Sequence, residues 1–308
     1  MSRRRAYSDP TADQALRNIA EQAMREYEER HRKKSPNVIM NEELPAETLV
    51  KYITEKITER ITERSEVINM INVAVYPVSR TYTHQVTPSI KSLMMNSDID
   101  QIILLTETSE YPEYLPKCVK PLNVFNNRYF SRNSLNAIRS GHAYLCEMRV
   151  ALAEILYCDR VLSLDGDAFV VDEIGSEPWT MDLGGCHVAG VPETRISERL
   201  GKPYINAGVM MLDLDRIRLD NLAMQMVDAL NNYSYQWLEQ DCINDYLRVK
   251  PLGSEWNACQ FTKPCQLPKI RHFAYEQDWI YSDIYRKYDG MSWNVVEDKW
   301  RERKGIKK

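Results

Sequence analysis

Beyond residue 68 short apolar runs alternate with longer amphipathic stretches, so strands and helices are expected to take turns along the chain. Residues 71–76 predict a strand, 87–96 a helix that tolerates Pro88 in its first turn, and Gln101–Thr106 (QIILLT) a strand buried on both faces. Those three form a βαβ unit. A helix over 135–157 leads into a strand at Arg160–Leu164, followed by strands at 186–191 and 209–214 and helices near 219–231 and 239–247. This alternation predicts an α/β domain with a mostly parallel sheet.

The first 68 residues differ in kind. A charged helical run over 13–34 is broken by Ser35-Pro36, and a second run carries Val50, Ile53, Ile57 and Ile61 at steps of three and four with charges on the other face. Such a stripe either packs on the main domain or forms the seam of a homodimer. The expected organisation is a charged helical extension over 1–68, an α/β domain over 69–290 and a basic, aromatic tail over 291–308. In that tail Trp293 and Trp300 accompany Lys299, Arg301, Arg303, Lys304, Lys307 and Lys308, a composition that suits either a solvated end or weak contact with an anionic membrane surface.

Composition narrows the class. With 308 residues, 44% hydrophobic and 27% charged, the chain can bury a sizeable core, which excludes collagen, a disordered tail and a membrane bundle. No apolar run reaches the roughly 18 residues of a membrane span, and MSRRRAYSDP has no signal-like stretch, so a cytoplasmic protein is expected, at most peripheral to the membrane. The seven cysteines are scattered without a C-x-x-C pair, which points to reduced thiols. A net charge of -4 gives no reason to expect a polyanion partner for the body; the basic clusters Arg3 to Arg5 and Arg30 to Lys34 sit among as many acids, so nucleic acid is not an expected partner.

The first candidate chemistry is Asp165-Gly166-Asp167, directly after the strand VLSL, at the carboxyl end where open α/β sheets place ligands. Residues two apart in extended chain project to one side, so the pair can address a hard divalent cation or simply form a solvated turn. The same spacing recurs at Asp98/Asp100, which precedes its strand, and at Asp213/Asp215, where Asp215 would cap a helix. The D-x-D-x-D-G spacing of a calcium loop is absent.

Six blocks in order extend the reading from about residue 70 to 280: YTHQVTPSIKSL at 82–93, Arg149 to Asp167, YINAGVMMLDL at 204–214, EQDCIN at 239–244, LGSEWN at 252–257 and His272-Phe273. Together they resemble glycosyltransferase family 8, a family of retaining enzymes. The resemblance implies a GT-A fold with a Rossmann-like, mostly parallel sheet, and transfer of a hexose from a UDP-sugar to an acceptor that is a glycan, a glycolipid or a protein. It implies that Asp165, Asp167 and His272 hold Mn2+ or another divalent cation; the alternative for His272 is an ordinary hydrogen-bonded histidine. By the same resemblance Tyr82 stacks on the uracil or merely packs, and Asn206 and Glu193 contact the donor. Glu239 and Gln240 lie near the anomeric carbon, and Arg149 reaches the diphosphate or sugar unless it forms a surface ion pair.

The match has departures. Glu239 and Glu193 stand where the family has Asp, and the expected HxxGxxKPW ending reads His272-Phe-Ala-Tyr-Glu-Gln-Asp278-Trp279, without its glycine, lysine and proline. That lysine would stabilise the leaving diphosphate. Either Arg271, Arg286 or Lys287 substitutes, or the chain binds a nucleotide sugar without transferring it. A nucleic-acid-modifying transferase is the remaining alternative.

Overall fold

The first strand, β1 (Val73–Val78), alternates perfectly, and both sides are buried. Val73 and Val75 enter one apolar cluster while Ala74, Tyr76 and Val78 enter another, as a central strand covered on two faces requires. This computed structural model describes residues 71–79, 82–108, 114–130 and 143–306. The extension expected over 1–68, with its Val50/Ile53/Ile57/Ile61 stripe, lies outside the described residues.

The strands that follow are β2 (Gln101–Thr106), β3 (Val119–Asn123), β4 (Arg160–Leu164), β5 (Ala168–Val170), β6 (Val188–Pro192), β7 (Ile205–Asp213), β8 (Val249–Pro251) and β9 (Ile270–His272). Seven of them form one sheet in the order β3-β2-β1-β4-β7-β6-β8, while β5 and β9 make a separate antiparallel ribbon. Most pairings in the sheet are parallel, and β7 alone runs against both its neighbours, β4 and β6. The expected α/β architecture is therefore present.

One face of the sheet is covered by α1 (Thr83–Asn96), whose Val86, Ile90, Leu93 and Met94 face the strands. It begins before the expected residue 87 and carries Pro88 in its interior, because that buried apolar stripe continues back through Val86 and outweighs the lost hydrogen bond. The other face is covered by the segment 143–155, α2 (Leu222–Asn232) and α3 (Leu238–Tyr246). The long helix expected over 135–157 is, in its described part, two short helices joined by a 3-10 turn at Met148–Ala151, with all four residues of that turn buried. The helix expected near 219–231 is α2, starting at Leu222; a separate short helix, Leu214–Leu219, comes first in the chain, and the two are divided where Asn221 takes φ 52°. Asp213 caps the first of these by accepting from the Arg216 N–H, so the cap is Asp213 and not Asp215.

At the C-terminal end α4 (Asp283–Asp289) and α5 (Trp293–Arg303) follow, each capped by a serine hydroxyl, Ser282 and Ser292. The Trp300 indole donates to the Ile99 carbonyl at 2.7 Å, and the Lys91 ammonium lies over the Trp293 ring. Among the described residues no helix is long and apolar enough to cross a membrane.

Candidate functional site

The chain leaves β4 at Leu164 and enters Asp165-Gly166-Asp167, held by backbone bonds: Asp165 N–H donates to the Gly208 carbonyl at 2.7 Å, and Ala168 N–H donates to the Asp165 carbonyl. Next, the β5–β9 ribbon pairs Ala168 with His272, and Phe273 N–H donates to the Asp167 carbonyl at 3.1 Å. A partner more than a hundred residues away is thereby set beside the aspartates. His272 Nε2 stands 3.3 Å from Asp167 Oδ1 and 3.6 Å from Asp165 Oδ2.

Strand β7 supplies the floor. Two steps along β6, Gly190 to Pro192, span five along β7, Ile205 to Met210, so β7 bulges through Asn206, Ala207, Gly208 and Val209. The bulge re-aims Asn206 and brings Gly208 under the imidazole. A Cβ at Gly208 would lie 2.8 Å from Asp165 Oδ2 and collide with the His272 ring, so only glycine leaves this cradle open. One ligand atom from each of Asp165, Asp167 and His272 lies within 4.8 Å of the others, a donor set that fits one divalent cation.

Across a cavity of about 460 Å³ lie Glu193, Asn206, Glu239 and Gln240. Glu239 and Gln240 open α3, and Glu193 precedes the helix Thr194–Leu200. Gln240 is fully engaged: its carbonyl accepts the Ala207 N–H at 2.9 Å, and its amide donates to Glu193 Oε1 at 3.0 Å. Arg149 bridges the two walls, donating to Asp165 Oδ1 and, at 2.7 Å, to Glu239 Oε1. At the mouth Trp237 and Phe261 meet Tyr275 edge-on, with ring centroids 6.3 and 5.7 Å away. Tyr275 takes φ 59° and Leu238 φ 48°, left-handed conformations that non-glycine residues seldom hold.

The charges are strongly coupled. Burial works against the Arg149 charge, but Asp165 and Glu239 overcome it and lock the guanidinium in its protonated form. Burial alone would raise the Asp165 carboxyl; Arg149 and His272 reverse that and hold it below the usual range. For Glu239 burial wins over Arg149 and the carboxyl is raised. Burial would depress His272, yet the hydrogen bond to Asp167, helped by Cys259 and the charge of both aspartates, pushes it up to about 10.

Of the nine residues singled out in the sequence, eight line this one cavity: Arg149, Asp165, Asp167, Glu193, Asn206, Glu239, Gln240 and His272. Tyr82 does not; it sits half-exposed just before α1. Arg149 is no surface ion pair, since its side chain is 2% exposed. None of the three candidate substitutes for the missing lysine lines the cavity: Arg271 pairs with Glu276, Arg286 with Asp283, and Lys287 lies over the Tyr288 ring. Sequence reasoning assigned nothing to Gly208, Asn257, Trp237, Phe261 or Tyr275. The first two stand in blocks that carry the resemblance; the aromatic three had no signal beyond the departure at Tyr275.

Known proteins resemble this chain in sequence and in fold. GlyA of Streptococcus pneumoniae serotype 4, a glycosyltransferase, is 20% identical over 243 residues, covering 70% of this chain and 34% of GlyA. The chain thus spans about a third of that relative's length. Among solved structures, the glycosyltransferase GlyE of Streptococcus pneumoniae matches with TM-score 0.56 and 18% identity over 77% of this chain and 64% of GlyE. The galactosyltransferase LgtC, solved in complex with donor and acceptor sugar analogs, matches with TM-score 0.53 and 17% identity over 74% of this chain and 99% of LgtC. Those structures share the fold. The sequence profile described as Glycosyl transferase family 8 matches residues 73–278, well over half of the chain and the whole of the cavity wall, and on that match the chain belongs to glycosyl transferase family 8.

Proposed function

We propose that this chain is a retaining hexosyltransferase that takes a sugar from a UDP-sugar, with a divalent cation held by Asp165, Asp167 and His272. The observation that carries the reading is the facing of two carboxylates and a buried imidazole, across one cavity, by the amide and carboxylate wall of Glu193, Asn206 and Gln240. Two carboxylates with an imidazole suit manganese better than magnesium, which rarely takes nitrogen ligands. When bound, such a cation supplies Lewis-acid neutralisation of the departing nucleoside diphosphate.

The chain's own residues divide the remaining work. Asp165 gives Oδ1 to Arg149 and keeps Oδ2 on the His272 side, so one carboxylate serves both the clamp and the cation. Arg149 in turn fixes Glu239 against the cavity wall, beside the place assigned to the anomeric carbon. Glu193, held through Oε1 by the Asn206 and Gln240 amides, presents its other carboxylate oxygen to the donor sugar, and Tyr82 offers a ring to the uracil. Trp237, Phe261 and Tyr275 present apolar ring surface at the mouth, which suits the face of an acceptor pyranose on a glycan, a glycolipid or a glycosylated protein.

The test is hydrolysis of a panel of UDP-hexoses by the full chain with Mn2+. Asp165→Asn and Asp167→Asn should each abolish it, a loss of several kcal/mol in transition-state stabilisation, on the order of 3 or more. Unchanged turnover in both variants would remove the cation assignment.

One observation favours a second reading, a nucleotide-sugar-binding protein without transfer. Among the described residues, four carboxylates line the cavity against Arg149 and His272, and Arg149 is already spent on two of the four. Manganese-dependent binding of UDP with no hydrolysis of any UDP-hexose would select this alternative.

A further inference from the structure

We propose that Asn257 is a positioning residue that fixes the His272 ring for a cation and ties that ring to the sugar-facing amides. The inference rests on the cation reading above. Asn257 is fully buried, and its side chain is a second link, besides Arg149, between the two halves of the site: Nδ2 donates to Asn206 Oδ1 at 3.0 Å, and Oδ1 lies 3.0 Å from His272 Nδ1.

Backbone donors determine the polarity of this chain of contacts. The two ends of an amide are nearly the same shape, so their identities follow from their partners. The Gly208 N–H can only donate, and it meets Asn206 at 3.0 Å, so that atom of Asn206 is oxygen. The other end of Asn206 is then NH2, and it faces the acceptors Glu193 Oε1 at 2.9 Å and Gln240 Oε1 at 3.3 Å. Gln240 Oε1 is fixed as oxygen in the same way by the Ala207 N–H. Asn257 must therefore offer its NH2 to Asn206 Oδ1 and its carbonyl to His272. A carbonyl accepts only, so His272 Nδ1 carries a hydrogen. The nitrogen left with a lone pair in the neutral ring is Nε2, the atom that faces Asp165 and Asp167.

Two backbone N–H groups of the β7 bulge thus orient Asn206, Gln240, Asn257 and, through Asn257, the imidazole. No charge on Asn257 is needed. The design predicts that an acceptor at position 257 suffices for the cation, whereas the donor at 257 serves only the sugar-facing side.

The experiment is calorimetric titration of the full chain with Mn2+ alone, for the wild type, Asn257→Leu and Asn257→Asp, with circular dichroism to verify the fold. Leucine removes donor and acceptor while keeping the branched outline of the side chain, and should weaken Mn2+ binding by about 10- to 100-fold, the usual cost of losing a partner of a metal-bound histidine. Aspartate keeps the acceptor and should stay within about threefold of wild type. If Asn257→Leu binds as tightly as wild type, or if Asn257→Asp loses as much as Asn257→Leu, the inference is overturned. No Mn2+ binding by the wild type overturns the cation reading and this inference with it. Should either variant fail to fold, the wild-type chain loaded with Zn2+ decides: long-range 1H–15N spectra should show His272 with a protonated Nδ1 and the metal on Nε2. Metal on Nδ1, or a bare Nδ1, contradicts the proposal.

Discussion

Two arginines in this chain do the same thing in different surroundings. Arg149 forks between Asp165 and Glu239, its side chain 2% exposed and the acids 33% and 7%; Arg303, in α5, forks between Glu173 and Asp98, its side chain 15% exposed and the acids 54% and 38%. Both are planar cations shared by two carboxylates. Arg149 and Glu239 are sealed from water, with side chains 2% and 7% exposed, while Asp165 is 33% exposed on the cavity side, so removing the guanidinium leaves Glu239 a buried, uncompensated group. Around Arg303 water and salt can replace either partner. Identical chemistry thus lines the candidate site in one place and fastens a helix end in the other.

The largest expected effect tests the buried fork. Arg149→Met should destabilise the chain by about 3–5 kcal/mol in denaturant unfolding, with little dependence on salt, because the buried Glu239 is left unpaired while Asp165 keeps His272. A loss under about 1 kcal/mol would mean that the fork is solvated after all. An intermediate effect comes from the cradle beside it. Gly208→Ala forces a methyl into the His272 ring and should cost about 1–3 kcal/mol while eliminating Mn2+ binding; retained binding would show that the ring can retreat. The smallest effect is at the exposed fork. Arg303→Ala should cost about 1 kcal/mol or less at low salt, and still less in 0.5 M NaCl by roughly the ratio of Debye lengths. A large, salt-independent cost would erase the contrast and make the Arg303 bond to the Ser97 carbonyl, 3.1 Å, the dominant contact.

How much of this was legible in the sequence follows the same divide. Local patterns carried β1, β2 and β4, because strands buried on both faces must be apolar runs, and Asp165-Gly166-Asp167 announced itself by ending such a run. The edge strand β3 (VKPLN) was silent, since its proline and exposed positions break any apolar run, and β5 and β9 are three residues each, too short for a period. His272 was found through resemblance; its place beside the aspartates depends on a ribbon pairing that no local window contains. Arg149 was expected to reach a ligand or the surface, because a helical arginine is usually solvated, and only the tertiary fold reveals that it is sealed between two acids. The aromatic, basic composition of 291–308 is equally ambiguous by itself. In the fold Trp300 hydrogen-bonds to Ile99, Arg303 pairs with Glu173, and Lys304 with Asp100, contacts that composition cannot distinguish from adsorption to a surface.

The division of the Asp165 carboxylate, one oxygen for Arg149 and the other toward His272, has a consequence for the order in which the protein matures. In small metal domains the ligands repel one another until the ion arrives, and chelators unfold them. Here Arg149 and His272 already stand against the aspartates in the folded chain, so on the proposed cation reading the chain should assemble first and take up metal second. Stripping the ion with EDTA should leave melting within a few degrees of the loaded protein once mass-action stabilisation is subtracted, and full reloading should need no refolding.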